Sequence, residues 1–171
     1  MCGLYGFVSY GKKLKDLAEL TNALAEQSAV RGTDATGIAF CNLSGVNVLK
    51  DSKSAYRLNF KHSDDVVSLI GHTRHSTQGS EKKNYNNHPF MGKCKNARFT
   101  LAHNGIISND DRLRKEYKIP KTKIETDSYI AVQLIEKKKL LDNESAFTLQ
   151  KLKNKLYLKL IVSSAMIRFF Y

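Results

Sequence analysis

In Met1-Cys2-Gly3-Leu4-Tyr5-Gly6, the first six residues of a 171-residue chain, a cysteine stands second. Removal of Met1 would make Cys2 the N-terminus, so that one residue carries both a thiol nucleophile and a free α-amine. Such an amine has a reference pKa of roughly 7.7–8.0 and can take the thiol proton near neutral pH, directly or through water. A nucleophile of this kind needs no histidine as its base. Taken alone, Cys2 is better explained as a small apolar residue entering a strand, since free cysteines are mostly buried. Motifs further along the chain reverse that reading.

Leu4 to Tyr10 is apolar and aromatic-rich, and predicts a strand ended by Gly11. Leu14, Leu17, Ala18, Leu20, Leu24 and Ala25 recur at helical spacing and predict an amphipathic helix over Lys13 to Ala29. Thr36 to Asn42 and Val46 to Lys50 flank Leu43-Ser44-Gly45, the pattern of a β-hairpin. Ser63-Asp64-Asp65 reads as the start of a short helix, and Ser68 to Thr73 as the next strand. Gly79 to Lys95 is polar, carries Asn84, Asn86, Asn87, Pro89 and Gly92, and reads as a long loop. Ala97 to His103 is a strand. Thr126 can cap a helix running to about Lys139. A further helix is expected over Asn143 to Lys153, a strand over Leu156 to Ser163, and a short apolar end over Met166 to Tyr171. Strand-rich stretches alternating with two or three helices predict an α+β sandwich, with residues 1–171 as one domain.

Composition is that of an ordinary globular protein. No apolar run approaches the roughly 20 residues that span a bilayer, and no apolar segment of signal-peptide length follows Lys12-Lys13. The expected compartment is the cytoplasm, and no membrane contact is expected. Cys2, Cys41 and Cys94 are widely spaced, which suggests neither a disulfide framework nor a zinc ribbon. The net charge is +12 and the pI about 9.6. The lysines are spread along the chain and no nucleic-acid-binding pattern accompanies them, so nucleic acid is not the expected partner. The charge suits solvated helix faces or an acidic partner surface.

The chemistry gathers in four stretches. Arg31-Gly32-Thr33-Asp34-Ala35-Thr36-Gly37 joins the first helix to the second strand; its glycines allow close backbone approach, and Arg31 and Asp34 can pair across the turn. Gly71-His72-Thr73-Arg74-His75-Ser76-Thr77-Gln78-Gly79 brings a guanidinium and two hydroxyls to a strand end. Arg74 can hold a carboxylate in a bidentate fork, with Ser76 or Thr77 adding a hydrogen bond. His72 and His75 lack the neighbouring acid of a zinc motif, so no metal is expected and His72 reads as a packed core histidine. His103-Asn104-Gly105 fits a hairpin turn, or else an oxyanion hole built from the Asn104 amide and the Gly105 N–H. Glu125-Thr126-Asp127-Ser128 fits N-capping by Thr126 or Asp127, or else a site where the Asp127 carboxylate binds an ammonium. Together these parts suit an α-amino acid: Arg74 takes the carboxylate, Asp127 the ammonium, and Cys2 attacks a side-chain amide. That points to glutamine or asparagine.

Cys2-Gly3, Arg31 to Gly37, Gly71 to Gly79, Asn86-Asn87-His88-Pro89, His103-Asn104-Gly105 and Thr126-Asp127 occur in this order over residues 2 to about 130. The ordered set resembles the class II glutamine amidotransferase domain of the N-terminal nucleophile hydrolases. It is similar to the glutaminase halves of glucosamine-6-phosphate synthase and of glutamine phosphoribosylpyrophosphate amidotransferase. The resemblance implies a four-layer αββα sandwich of two antiparallel sheets. It implies removal of Met1, a γ-glutamyl thioester on Cys2, and no cofactor. Arg74 and Thr77 would hold the α-carboxylate of glutamine, Asp127 its α-amine, and Asn104 and Gly105 the oxyanion. Arg31 and Gly32 match an element beside the active site, and Thr73 to Gly79 the loop that closes over glutamine.

Three departures accompany the resemblance. His75 and Gln78 sit where the family varies. Tyr129 stands where an acid commonly follows the Thr-Asp run. After about residue 152, a Gly-rich helix-to-strand transition is expected, but the sequence reads Lys153-Asn154-Lys155-Leu156-Tyr157 and diverges over 153–171. This implies a shortened domain with exposed sheet edges, lower stability, and an oligomer or a docking partner. The expected function is glutamine hydrolysis that supplies ammonia to an acceptor on a synthase partner. The alternatives are an N-terminal nucleophile amidase for another amide, and a non-catalytic glutamine-binding or interaction module.

Overall fold

Side chains alternate across a strand, so the first strand can be buried on both faces. The computed structural model describes residues 1–10, 14–95 and 98–141, and the backbone of 165–170. β1 (Gly3–Val8) presents Tyr5 and Phe7 to one core and Leu4 to another. It joins β2 (Ala35–Asn42), β3 (Gly45–Asp51) and β4 (Ser68–Arg74) in an antiparallel sheet of order β1-β4-β2-β3. β5 (Phe90–Lys93), β6 (Arg98–His103) and β7 (Ala165–Phe170) make a second antiparallel sheet in that order. The helices are α1 (Leu17–Ala29), α2 (Asp110–Glu116) and α3 (Tyr129–Lys137).

Three apolar layers set the architecture. Leu17, Ala25 and Ala29 of α1 lie on Tyr5, Ile38, Phe40 and Leu69 of the first sheet. Ala39, Ile70 and Ala102 pack between the sheets. Phe90, Phe99 and Leu101 of the second sheet pack on Leu113 of α2 and on Ile130, Leu134 and Ile135 of α3. The order is helix, sheet, sheet, helix, which is the αββα sandwich expected. No described helix is long and apolar enough to cross a membrane.

Several elements depart from expectation for physical reasons. β1 ends at Val8 and α1 starts at Leu17. The buried stripe of α1 is Leu17, Thr21, Ala25 and Ala29, while Leu14 and Leu20 are exposed. Thr21 enters the core because its Oγ1 bonds the Leu17 carbonyl at 2.8 Å and His62 Nε2 at 2.9 Å. Ser63-Asp64-Asp65 starts no helix. Instead the Asp64 carboxylate accepts from Leu17 N–H at 2.9 Å and Asp16 N–H at 3.3 Å. It thereby satisfies orphan donors of α1 and favours the positive end of its dipole.

The β2–β3 hairpin forms as expected, with Asn42 opposite Gly45 and a tighter turn at Leu43-Ser44. The long loop contains β5, whose four residues pair with β6 from Phe90↔Leu101 to Lys93↔Arg98. The sequence reading has no helix over 110–116, where α2 buries Leu113 alone. α3 ends at Lys137, short of the expected Lys139. The helix expected over 143–153 and the strand expected over 156–163 lie outside the described residues. The apolar end forms β7, paired with β6 from His103↔Ala165 to Arg98↔Phe170.

Candidate active site

β1 pairs with β4 so that Gly3 lies opposite Thr73. This register delivers Cys2 to the end of β4, where the chain leaves the sheet. Cys2 Sγ accepts from His75 N–H at 3.3 Å and lies 3.5 Å from the His75 carbonyl. The Cys2 carbonyl accepts from Arg31 Nε at 3.0 Å and from Asn104 Nδ2 at 2.9 Å. Residues from three separate loops therefore converge on residue 2. Gly105 follows Asn104 on the same loop. Met1 is 79 % exposed, so the residue to be removed is accessible.

The expected Arg31–Asp34 pair is not formed. Arg31 turns to Cys2, and Asp34 Oδ2 accepts from Ser76 N–H at 2.7 Å with His75 Nδ1 at 3.9 Å. Close packing of the loop on β4 separates them. Asp34 N–H donates to the Arg74 carbonyl at 3.0 Å, and a Cβ on Gly32 would lie 2.5 Å from the Arg74 carbonyl carbon. Glycine at 32 permits this approach.

Arg74 is buried, and its guanidinium faces its own loop. Nη1 donates to Asn87 Oδ1 at 2.6 Å, and Nη2 donates to the Gln78 and Gly79 carbonyls at 2.5 and 2.8 Å. Nη2 has two N–H groups, so both are engaged. A fork grip on a carboxylate through Nη2 requires the 78–79 carbonyls to move away. Thr77 is exposed on the same loop, and Ser76 Oγ has no partner among the described residues. Burial lowers the Arg74 pKa, while nearby Cys2, Glu81, Asp34 and Asp127 oppose that shift. Arg74→Lys removes the planar fork and leaves two or three acceptors unmet. It is expected to cost about 2–4 kcal/mol in urea unfolding. A loss within experimental scatter would show that the guanidinium does not hold this loop.

The residues that organise the site most densely are Asn86 and Asn87, which the sequence reading assigned no role. Both are fully buried. Asn87 Nδ2 donates to the Glu81 carbonyl at 2.8 Å and Asn84 Oδ1 at 3.1 Å, and the Asn87 carbonyl accepts from Lys50 Nζ at 2.8 Å. Asn86 Nδ2 donates to Glu125 Oε2 at 2.7 Å and the Ser80 carbonyl at 3.1 Å. Asn86 Oδ1 accepts from Glu125 N–H at 2.9 Å, and its carbonyl from Thr126 Oγ1 at 2.9 Å. The pair thus ties the Arg74 loop to the segment carrying Asp127. Burial pushes the Lys50 ammonium down to about 8. The adjacent Asn-Asn-His-Pro run inside a polar loop was the available signal.

Neither Thr126 nor Asp127 caps α3 with its side chain. The N–H groups of Tyr129 and Ile130 bond instead to the carbonyls of Thr126 and Asp127, both at 3.1 Å. Thr126 is spent on Asn86. Asp127 is buried; its Oδ2 accepts a short bond from Ile107 N–H, and its Oδ1 accepts from Ser128 Oγ at 3.3 Å. Asp127 therefore holds the loop that brings Asn104 to Cys2.

Three histidines line the interior beside these groups. His72 is the core histidine expected, with Nε2 3.2 Å from the His103 carbonyl. The His88 ring packs between His72 and Phe90, with centroids 4.3 and 4.4 Å away. His103 Nδ1 lies 2.8 Å from Ser128 Oγ. Burial holds His72 down to about 3 and lowers His88 and His103 as well. Among the described residues no three His, Cys, Asp or Glu side chains converge on a metal position.

The family model for class-II glutamine amidotransferases matches residues 1–157. The glutamine–fructose-6-phosphate aminotransferase (isomerizing) of Bacillus licheniformis is 38% identical over 152 residues, covering 86% of this chain and 24% of that protein. Its counterpart in Geobacillus kaustophilus is 35% identical over 140 residues, covering 80% and 22%. The chain thus spans less than a quarter of the length of these relatives. The fold also matches glutamine phosphoribosylpyrophosphate amidotransferase of B. subtilis, complexed with ADP and GMP, at TM-score 0.65 and 20% identity over 98% of this chain and 34% of that one. A structure of the allosteric regulatory enzyme of purine biosynthesis matches at TM-score 0.69 and 20% identity, over 98% and 35%. The chain belongs to the class-II glutamine amidotransferases, and its fold is that of the N-terminal nucleophile hydrolases.

Proposed function

We propose that this chain hydrolyses the side-chain amide of glutamine through Cys2, giving glutamate and ammonia. The observation that carries the reading is the convergence of Arg31, His75 and Asn104 on Cys2. After Met1 leaves, the α-amine takes the thiol proton as sulfur attacks the amide carbon. A C–S bond forms and the carbonyl oxygen gains negative charge. The Asn104 amide and the Gly105 N–H face that oxygen, each donor being worth roughly 3–4 kcal/mol in the transition state. Collapse breaks the C–N bond, and the amine returns its proton to the departing nitrogen as ammonia. Water then gives a proton to the amine and attacks the thioester; the C–S bond breaks, the amine returns that proton to sulfur, and glutamate leaves. The two hydrogen bonds to the Cys2 carbonyl keep the backbone of the nucleophile in place throughout.

Arg74 and Thr77 take the glutamine carboxylate once the 75–79 loop has shifted, and Asp127 takes the ammonium. Arg31 positions the nucleophile. Ammonia passes to an acceptor on a synthase partner, either another part of a longer chain or another protein; the alternative partner is a second copy of this chain, which would cover exposed sheet edges. Residues 1–171 act as one glutaminase domain, and Cys2, Cys41 and Cys94, none of them in a disulfide, suit the reducing cytoplasm.

Intact mass before and after treatment with a glutamine-mimicking diazoketone tests the reading. Loss of Met1 and one stoichiometric adduct on Cys2 are expected. Retained Met1, or a Cys2 that stays unmodified while glutamate is still released, would overturn it.

A further inference from the structure

We propose that a second site on this chain, beside the nucleophile but separate from it, binds the phosphate group of a small molecule. A cleft of about 420 Å³ opens between the loop after α1 and the turn after β3, lined by Asp34, Ser52, Lys53, Ser54, Tyr56 and Arg57. That volume suits a sugar phosphate or a mononucleotide. Cys2, Arg74 and Asp127 do not line it. The inference does not rest on glutamine hydrolysis, and its test reads binding alone.

The backbone of the cleft is fixed from two sides. Thr36 Oγ1 donates to the Lys53 carbonyl at 2.9 Å, tying the turn to β2. Ala55 is buried in the core beneath α1, which anchors the turn while Lys53, Tyr56 and Arg57 stay exposed. The cationic groups are available. Arg57 makes no ion pair among the described residues. Lys53 meets Asp51 at 3.3 Å, but both are solvent-exposed, so the pairing is weak. A guanidinium fork beside an ammonium is the donor set that phosphate oxygens match best.

The polar groups complete the arrangement. Ser54 Oγ is buried in the wall without a partner among the described residues. A change of rotamer lets it donate to a ligand oxygen, relieving the cost of an unpaired hydroxyl. Asp34 is the one acid of the lining, and its carboxylate is engaged by Ser76 N–H and the His75 ring. Tyr56 is 58 % exposed and offers a ring face to the remainder of the ligand. The net charge of +12 adds a field that draws anions.

Asp34 also links the cleft to the glutamine site. It holds Ser76, next to the His75 whose N–H meets Cys2 Sγ. Occupancy of the cleft therefore reaches the loop that caps the nucleophile.

Titration of the full chain with inorganic phosphate at constant ionic strength, followed by backbone amide shifts, is the test. Saturable shifts with one midpoint are expected at Ser52, Ser54 and Arg57, and at Ser76 through Asp34. Arg57→Ala is expected to raise the midpoint about tenfold, and Ser54→Ala about threefold, with the rest of the spectrum unchanged. Shifts that never saturate, shifts spread over Lys137, Lys138 and Lys139, or a midpoint indifferent to both substitutions would overturn the site. Binding with a motionless Ser76 amide would overturn the link to the loop.

Discussion

Replacing Cys2 by alanine is expected to lower glutamine hydrolysis by about 10⁴-fold or more while the fold survives. The two halves of this expectation have different origins. Chemically, the side chain is the proposed covalent nucleophile, and none of the side chains described around it is another thiol that could take its place. Binding and oxyanion donors alone leave only the residual rate that water attack allows. Structurally, Sγ contributes little. Its contacts to the His75 backbone are long, at 3.3 and 3.5 Å, and the residue is half-buried. The contacts that fix the N-terminus run through the Cys2 carbonyl, which alanine keeps. Unfolding free energy should therefore change by less than about 1 kcal/mol. Ammonia release, measured together with intact mass, separates the cases. A variant that has lost Met1 and still turns over at a substantial fraction of the parent rate would place the chemistry on another residue. A variant that unfolds would show that the thiol packs more tightly than its geometry implies.

Local patterns made the framework readable, whereas long-range polar contacts stayed hidden. The apolar, aromatic-rich run from Leu4 and the hairpin around Leu43-Ser44-Gly45 need only neighbours in sequence to be recognised. The role of Asp64 does not. Its carboxylate serves Leu17 N–H across 47 positions, and nothing near Ser63-Asp64-Asp65 reveals that. α2 escaped because a single buried side chain, Leu113, leaves no period to detect. The same division runs through the site. Cys2, Arg31 and Asn104 were legible as chemistry-bearing residues and do meet. Arg31–Asp34 pairing was inferred from proximity in sequence, and the fold overrides it by giving each residue a better partner. Arg74 reads in the sequence as a fork for a ligand carboxylate, whereas the fold turns that fork onto its own loop. Asn87 and the two loop carbonyls that surround it come from a turn whose path residue types do not dictate. Buried amide networks of this kind are satisfied by position, so a sequence shows their members without showing their bonds.

Stability is expected to fall steeply as pH drops below about 6.5, before most carboxylates titrate. The cause is the histidine cluster between and beside the sheets. His72 uses Nε2 toward the His103 carbonyl, and its Nδ1 is buried without a partner among the described residues. Both ring nitrogens of His88 are in the same position. Protonating either ring buries a cation. Arg74 opposes that charge at both rings, and Lys50 opposes it at His88. Asp127 favours it at His103, but burial there outweighs the carboxylate. Folded-state pKa values thus lie below the unfolded value, with His72 near 3. Between the two values the unfolded chain binds more protons, so stability rises with pH across that window. It is complete above the unfolded pKa and lost on descending toward the folded one. Each histidine that stays neutral in the fold and charges on unfolding adds a slope of about 1.4 kcal/mol per pH unit, so the fully buried pair approaches about 2.7. Urea unfolding at about pH 7.5, 6 and 5 measures this directly, in a range above the ordinary carboxylate values. His88→Phe should remove one histidine's share of the slope, because Phe keeps the ring that packs against Phe90 and takes up no proton. Equal stability at all three pH values would mean that the rings find proton acceptors or water that accommodate their charge, and that the interior beneath the nucleophile is wetter than its packing implies.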